Sequence, residues 1–173
     1  MEGDRWADLS TNRKGAIAEI EVARAAVRAG IPVWTPLLEH GRADVALEID
    51  GRILRVQCKW GRLEDGVVKA RIGTSRLTPQ GYVRTTYTAE EVDAVAIYCP
   101  SLEKSYLLPI SLVAGQTYIH LRVEPSKNNQ SLGLKWAAQY EFPGAIAQLG
   151  ERLSGRQEAA GSSPASSTQL VLG

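Results

Sequence analysis

Apolar positions recur every three to four residues near the start of the chain. Over residues 10–29 this period predicts an amphipathic helix. A hydroxyl or amide side chain at 10–12 is the expected N-cap, and Gly30 is the expected stop. The predicted apolar face holds several alanines together with Ile17, Ile20 and Val27.

Strand-like runs follow this helix. Residues 31–38 predict a strand interrupted by prolines, while 43–50 and 53–60 predict two strands joined by Asp50-Gly51. An Asp-Gly pair between apolar runs is a strong hairpin signal. Residues 61–90 are polar and rich in Gly, Thr and Arg, so we expect mostly loop there, with a small strand or two.

Two further apolar runs complete the pattern. Residues 92–99 predict a buried strand and 105–112 another, with a short helical turn at 88–91 before the first. This order of elements predicts a mixed α/β fold around one small sheet. From Gly144 the chain becomes rich in Gly, Ser, Pro and Ala, so we expect one domain over 1–143 and a poorly ordered tail over 144–173.

Composition narrows the class of protein. The chain has 173 residues, 44% of them hydrophobic, which suits one domain with a sizeable core. Its two cysteines, Cys58 and Cys99, lie in apolar runs without a CxxC or Cys/His cluster, which disfavours structural zinc and disulfides. With no apolar signal region and no long apolar run, we expect a soluble cytoplasmic protein without membrane association.

The hairpin also carries candidate chemistry. Gln57 and Lys59 are two residues apart on the second strand, so they leave the same face, and Asp44 opens the partner strand. Carboxylate and amide oxygens suit a hard divalent cation such as Mg²⁺, and a lysine suits the charge on a phosphate undergoing hydrolysis. The ordinary alternative is a solvated sheet face, where polar residues two apart are common.

The predicted helix places its two acidic residues on different faces. Glu21 shares its helical face with Arg24 and Arg28, which is the usual solvated arrangement. Glu19 instead lies among Val22 and several alanines, on the side predicted to pack on the sheet. Burial of a carboxylate is costly unless it is paired or binds a metal. The sequence therefore predicts a functional role for Glu19 and none for Glu21.

The segments 14–36, 42–47 and 54–60 together resemble the PD-(D/E)xK nuclease superfamily, particularly homing-type endonucleases and Holliday-junction resolvases. The resemblance covers about residues 13–110 and implies a restriction-endonuclease-like core, a small central mixed β-sheet flanked by helices. It implies a catalytic set of Glu19, Asp44, Gln57 and Lys59. Of these, Glu19, Asp44 and Gln57 would also hold Mg²⁺ or Mn²⁺. Ala43 replaces the motif's proline, and Gln57 replaces the usual second acid, which weakens metal chelation.

Positive charge is concentrated near this motif, although the net charge is only +1. Between Arg52 and Arg84 there are eight Lys or Arg residues and two acids. Such a basic segment is typical of phosphate contacts, and a solvated loop is the alternative. The candidate DNA-binding residues are Arg13, Lys14, Arg42, Arg62, Lys69, Arg71, Arg76 and Arg84.

The tail is informative when its residues are translated back into a nucleotide sequence. Residues 147–148 and 151–152 can be encoded by the complementary GCTC and GAGC of a tRNA D-arm, and 161–164 by the TTCGA of a T-loop. The two elements lie 14 codons apart, as in a tRNA gene. The tail thus resembles a translated tRNA gene, a place where a mobile element would sit.

The leading hypothesis is a homing endonuclease of a mobile element that cleaves double-stranded DNA, with a tRNA gene as target. The alternatives are a junction resolvase or repair nuclease, and a catalytically inactive DNA-binding module, which Gln57 would permit. Symmetric cutting of two strands by so small a chain predicts a homodimer or a higher homo-oligomer.

Overall fold

The computed structural model describes residues 6–37, 41–125 and 133–146. His40, Leu38 and the predicted tail from residue 147 onward lie outside these ranges. The described part begins with helix α1 (Thr11–Arg28). The strands that follow are β1 (Val33–Trp34), β2 (Val45–Ile49), β3 (Arg52–Glu64), β4 (Val67–Arg71), β5 (Thr74–Thr78), β6 (Gly81–Thr85), β7 (Ala94–Cys99), β8 (Lys104–Pro109), β9 (Tyr118–Arg122) and β10 (Glu141–Phe142).

Both predicted ends of helix α1 are confirmed. Ser10 is the N-cap, and its Oγ accepts the backbone N–H of Arg13 at 3.4 Å. Gly30 follows the C-cap with a φ of 72°, the left-handed conformation that glycine adopts without steric cost.

The buried face of α1 differs from the prediction. Ala18, Val22 and Ala26 are fully buried, whereas Ile20 and Val27 are 63% and 66% exposed. Residues four apart form one row along a helix, and a row of small side chains lets the helix lie close to the sheet. The prediction that Ile20 and Val27 face the core is therefore wrong.

The main sheet is mixed, as predicted. Its strand order is β1-β2-β3-β7-β8-β10, with β3 and β7 parallel and the other neighbours in this order antiparallel. The predicted hairpin joins β2 to β3 through Asp50 and Gly51, whose φ values are 51° and 71°. Positive φ at both central residues is the turn geometry that matches the twist of a two-residue hairpin.

The expectation of mostly loop over 61–90 is wrong. Strand β3 continues to Glu64 and returns through Asp65-Gly66 into β4, which pairs with β9. Strands β5 and β6 then form a separate two-stranded sheet. Each backbone finds a partner strand, so these polar segments form strands despite their low apolar content. The predicted turn at 88–91 is present, with the N–H groups of Glu91 and Val92 donating to Thr88 O.

Two hydrophobic clusters cover the two faces of the main sheet. On one face, Val56 and Cys58 of β3 pack in a cluster with α1. On the other face, Val95 and Ile97 of β7 pack in a cluster with residues of β4 and β9. Gln57 and Lys59 alternate with Val56 and Cys58 and pair with Val95 and Ile97, so they share this second face.

Candidate active site

Strand β3 has an interval, residues 57–60, in which it pairs with only one of the described strands. Strand β2 pairs with Arg52–Val56 and β4 pairs with Gly61–Glu64, so among the described strands residues 57–60 pair with β7 alone. Asp44 lies immediately before β2, and its backbone N–H donates to Val56 O at 2.9 Å. Its carboxylate accepts the backbone N–H of Cys58 at 2.7 Å. A side chain therefore binds where a continuing strand would otherwise pair.

Gln57 lies directly against Asp44. Its Nε2 donates to Asp44 Oδ2, and a weaker contact of 3.4 Å joins the same nitrogen to Cys58 O. Strand β3 is internal to the strand order, and Gln57 is only 7% exposed. The structure thus brings Asp44 and Gln57 together inside the molecule.

Burial dominates the electrostatics of Asp44. It raises the pKa of the carboxyl, while the hydrogen bond from the Cys58 backbone and the charge of Lys59 lower it by less. A raised carboxyl pKa means that the negative charge is incompletely compensated by its surroundings. A bound divalent cation would supply the missing compensation.

Glu19 lines the same cleft as Asp44. The cleft has a volume of about 660 Å³ and lies between α1 and the chain segments 35–36 and 41–45. The Cys58 thiol reports on the same surroundings: burial raises its pKa well above the usual value, and Asp44 and Glu19 raise it further. Glu21 instead forms an ion pair with Arg24 at 2.6 Å, as its helical position predicts.

Lys59 opens onto a neighbouring cleft. Its ammonium nitrogen lies 5.4 Å from the centre of the Tyr87 ring. The cleft that it lines has a volume of about 750 Å³, and it shares Thr11 and Gly15 with the cleft of Asp44 and Glu19. The predicted carboxylates and the predicted lysine therefore face two clefts that adjoin at the start of α1.

Basic side chains dominate the cleft of Lys59. They come from α1, β3 and β4, and they are Lys14, Arg62, Lys69 and Arg71. Lys69 also forms an ion pair with Glu64 at 2.8 Å. Together these residues form the basic cleft, a surface on which phosphate groups can be neutralised.

Two residues of β9 in this cleft were not predicted to be functional. Tyr118 and His120 both line it and are both exposed, whereas Ile119 and Leu121 between and beside them are buried. The alternation of polar and apolar residues over 118–121 was a signal that could have placed both on one exposed face.

The other candidate DNA-binding residues lie elsewhere. Arg42 forms an ion pair with Glu91 at 3.0 Å, and Arg13 is exposed on α1. Arg76 and Arg84 belong to the ladder of β5 and β6, and their side chains are outside the described part of the structure. Arg55, a member of the basic segment, forms an ion pair with Asp93 at 3.0 Å and binds two backbone carbonyls, so it has a structural role.

The residues in and beside the cleft of Asp44 and Glu19 fit a hard cation that takes few ligands from the protein. Across the described residues, no three His, Cys, Asp or Glu side chains converge on one point. The available oxygens are the carboxylates of Asp44 and Glu19 and the amide of Gln57. Mg²⁺ typically binds one or two carboxylates and takes its other ligands from water and substrate phosphates.

Comparison with known proteins identifies the family. The model of the PD-(D/E)XK endonuclease family matches residues 9–143. The chain belongs to the PD-(D/E)XK endonuclease family. It is therefore a nuclease of this type, with the fold that the sequence resemblance implied.

A solved structure supports the fold. The chain is similar to a bacterial homing endonuclease, I-Ssp6803I, with a TM-score of 0.64 and 24% sequence identity, over 90% of this chain and 100% of that one. A comparison with curated proteins finds no match. Among the described residues, no helix is long and apolar enough to cross a membrane.

Proposed function

We propose that this protein is a metal-dependent endonuclease that hydrolyses phosphodiester bonds in double-stranded DNA. The observation that carries the proposal is the contact of the half-buried Asp44 carboxylate with Gln57 beside the interval of β3 that also contains Lys59. These are the positions at which the family motif has its two acids and its lysine, with glutamine in place of the second acid.

In this proposal Asp44, Glu19 and the amide oxygen of Gln57 hold Mg²⁺, or Mn²⁺ in its place. The bound cation would polarise the phosphate and lower the pKa of a water ligand. Gln57 directs its Nε2 toward Asp44 in the described arrangement, so it must turn its amide about the terminal bond to offer Oε1. Lys59 would place a positive charge against the negative charge that develops on the phosphate.

The basic cleft supports a path for DNA next to this site. Lys14, Arg62 and Arg71 line it together with Lys59, and neutralisation of phosphates by such residues supplies most of the sequence-independent affinity for DNA. We extend the proposed DNA contacts beyond the cleft to the remaining candidate residues, Arg13, Arg42, Arg76 and Arg84.

The biological role that we propose is a homing endonuclease of a mobile element. Two observations favour it: the similarity to a bacterial homing endonuclease and the likeness of residues 144–173 to a translated tRNA gene. A tRNA gene is then the proposed target. Symmetric cutting of both strands by so small a chain suits a pair of active sites, so we propose that the protein acts as a homodimer or a higher homo-oligomer.

Cleavage of defined substrates tests the proposal. Linear duplexes with a tRNA gene, duplexes of scrambled sequence and four-way junctions would be incubated with the protein and Mg²⁺ or Mn²⁺, with EDTA as the control. We expect double-strand cuts in the tRNA-gene duplex only, and none in EDTA. Preference for the four-way junction would indicate a resolvase. Tight binding without cleavage of any substrate would indicate an inactive DNA-binding module.

A further inference from the structure

Tyr87, in the loop between β6 and β7, is held firmly in the structure. Its side chain is only 9% exposed and belongs to the cluster that covers the second face of the sheet. The residues on either side of it are also bound. Thr86 O accepts a hydrogen bond from Arg42 Nη2 at 3.3 Å, and Thr88 N donates to Glu91 Oε2 at 3.1 Å. The ring therefore has a fixed position.

Two cations lie over this ring. The Lys59 ammonium is 5.4 Å from its centre, and the Arg42 guanidinium carbon is 4.4 Å from it. Both distances fall within the range in which the electron-rich face of an aromatic ring attracts a cation. The charge of Arg42 is compensated by its ion pair with Glu91.

The chemistry of this contact suits a lysine that must act on a phosphate. A lysine side chain has a long flexible stem, and its free rotation would spread the ammonium over many positions. A carboxylate partner would restrict the ammonium but would also cancel much of its charge. An aromatic ring restricts it and leaves the charge available to a phosphate.

The same contacts extend to the metal-binding side of the site. Arg42 lies two residues before Asp44, and it binds both the ring of Tyr87 and the backbone at Thr86. The ring thus contacts the side chain of Lys59 directly, and it contacts the segment that carries Asp44 through Arg42. This arrangement links the positions of the two groups that must meet one phosphate.

We infer that Tyr87 is a positioning residue that holds the Lys59 ammonium for cleavage. The inference rests on the proposed function. It concerns the aromatic ring and not the hydroxyl, because the contact with both cations is made by the ring face.

Single-turnover cleavage of duplex DNA in Mg²⁺ separates the ring from the hydroxyl. Tyr87→Leu should lower the maximal rate by about tenfold or more, since a displacement of a reacting group by 1 Å is enough for such a loss. The concentration of protein that gives half the maximal rate should change by less than about threefold, because DNA affinity comes mainly from the basic cleft. Tyr87→Phe should restore most of the rate.

Tyr140→Leu is the matched control for lost packing. Tyr140 is buried to a similar degree, with 7% exposure, in the same hydrophobic cluster. Its replacement should lower the melting temperature as Tyr87→Leu does while changing the maximal rate little. An equal fall in rate for the two variants would overturn the inference, as would a Tyr87→Phe variant as slow as Tyr87→Leu.

The Lys59→Ala background distinguishes this inference from the proposed function. If Tyr87 acts through Lys59, adding Tyr87→Leu to Lys59→Ala should lower the residual rate by less than about threefold. A further tenfold fall in the double variant would contradict a role through Lys59. If Lys59→Ala itself cleaves like the wild type, the proposed site fails. If Lys59→Ala is slow and Tyr87→Leu is not, only the positioning role fails.

Discussion

At residue 44 the fold half-buries a carboxylate that the proposed mechanism requires in its charged form. Burial raises the pKa of Asp44, so the charged form destabilises the folded protein relative to a neutral side chain. We expect Asp44→Asn to raise the melting temperature in the absence of metal, because an amide oxygen can still accept the N–H of Cys58. Cleavage should fall by roughly a thousandfold, as for other groups that stabilise transition-state charge.

The pH dependence of this stabilisation has a definite sign. The folded-state pKa of Asp44 lies above its ordinary value of 3.8, so the folded state takes up the proton at a higher pH than the unfolded chain. The destabilisation is complete above the raised pKa and disappears below 3.8. The excess melting temperature of Asp44→Asn should therefore shrink as the pH falls through that window. An excess that grows on acidification would refute this account of Asp44.

Glu19 and Glu21 offer a matched pair on one helix. Glu19 faces the cleft of Asp44, whereas Glu21 is paired with Arg24 at the surface. We expect Glu19→Gln to reduce Mg²⁺-dependent cleavage by at least about tenfold, because it removes a charged oxygen from a site with few of them. Glu21→Gln should leave the rate unchanged, because Glu21 does not line the cleft of Asp44. The variant should also remain folded, since an exposed ion pair contributes at most about 1 kcal/mol to stability. Equal rates for the two variants would remove Glu19 from the site.

Among the elements, the strongest local signals in the sequence predicted the structure best. The Asp50-Gly51 turn and the alternation around Gln57 were sufficient for the β2-β3 hairpin and for the contact of Gln57 with Asp44. Strands β4 to β6 were predicted only as a small strand or two within a loop, because their polar composition resembles that of a loop. Their stability depends on partners distant in sequence, such as β9 for β4, and a local pattern carries no information about these.

The same limit applies to the parts of the site supplied by distant segments. Asp44 and Gln57 are neighbours across one hairpin, so strand periodicity was enough to bring them together. Tyr87 and His120 approach Lys59 or its cleft from a loop and from β9. Their placement follows from how the chain folds over the second face of the sheet, which no local pattern predicts.

Gly61 of β3 packs tightly against buried side chains of β4 and β7. A Cβ atom added at Gly61 would lie 2.8 Å from Ile97 Cγ2 and 2.9 Å from Val68 Cγ1, both of fully buried residues. We expect Gly61→Ala to lower the free energy of unfolding by about 1–3 kcal/mol through overpacking. Gly15→Ala is the control: apart from its chain neighbours and the backbone of its own helix, no atom lies within 4 Å of the added Cβ. Alanine in a helix should stabilise by about 0.5–1 kcal/mol relative to glycine. Denaturant unfolding of both variants should give opposite signs, and a neutral Gly61→Ala would disprove the tight contact.

Across the whole molecule, charge is compensated unevenly. Arg55 and Lys69 of the basic segment are paired with Asp93 and Glu64, so the segment is less positive in the structure than in the sequence. Arg62 and Arg71 still line the basic cleft beside Lys59. The distribution of charge, and not the net charge of +1, therefore favours a polyanionic substrate.

Salt dependence measures this distribution. We expect Arg62→Ala and Arg71→Ala each to weaken binding to duplex DNA and to reduce the slope of log affinity against log salt concentration by about 1. Arg24→Ala, which removes a cation paired with Glu21 on the outer side of α1, should leave both quantities unchanged. An unaltered slope for the cleft variants would show that DNA binds elsewhere.

Lys59 offers the sharpest test of the proposal that the residues around the interval in β3 hydrolyse DNA. Single-turnover cleavage in saturating Mg²⁺ would be compared for the wild type, Lys59→Ala and Lys104→Ala, the last removing a lysine whose exposed ion pair joins it to Glu141. We predict that Lys59→Ala loses at least about a hundredfold in rate, with an unchanged melting temperature and little change in DNA affinity, while Lys104→Ala cleaves like the wild type. Cleavage by Lys59→Ala at the wild-type rate would contradict the claim.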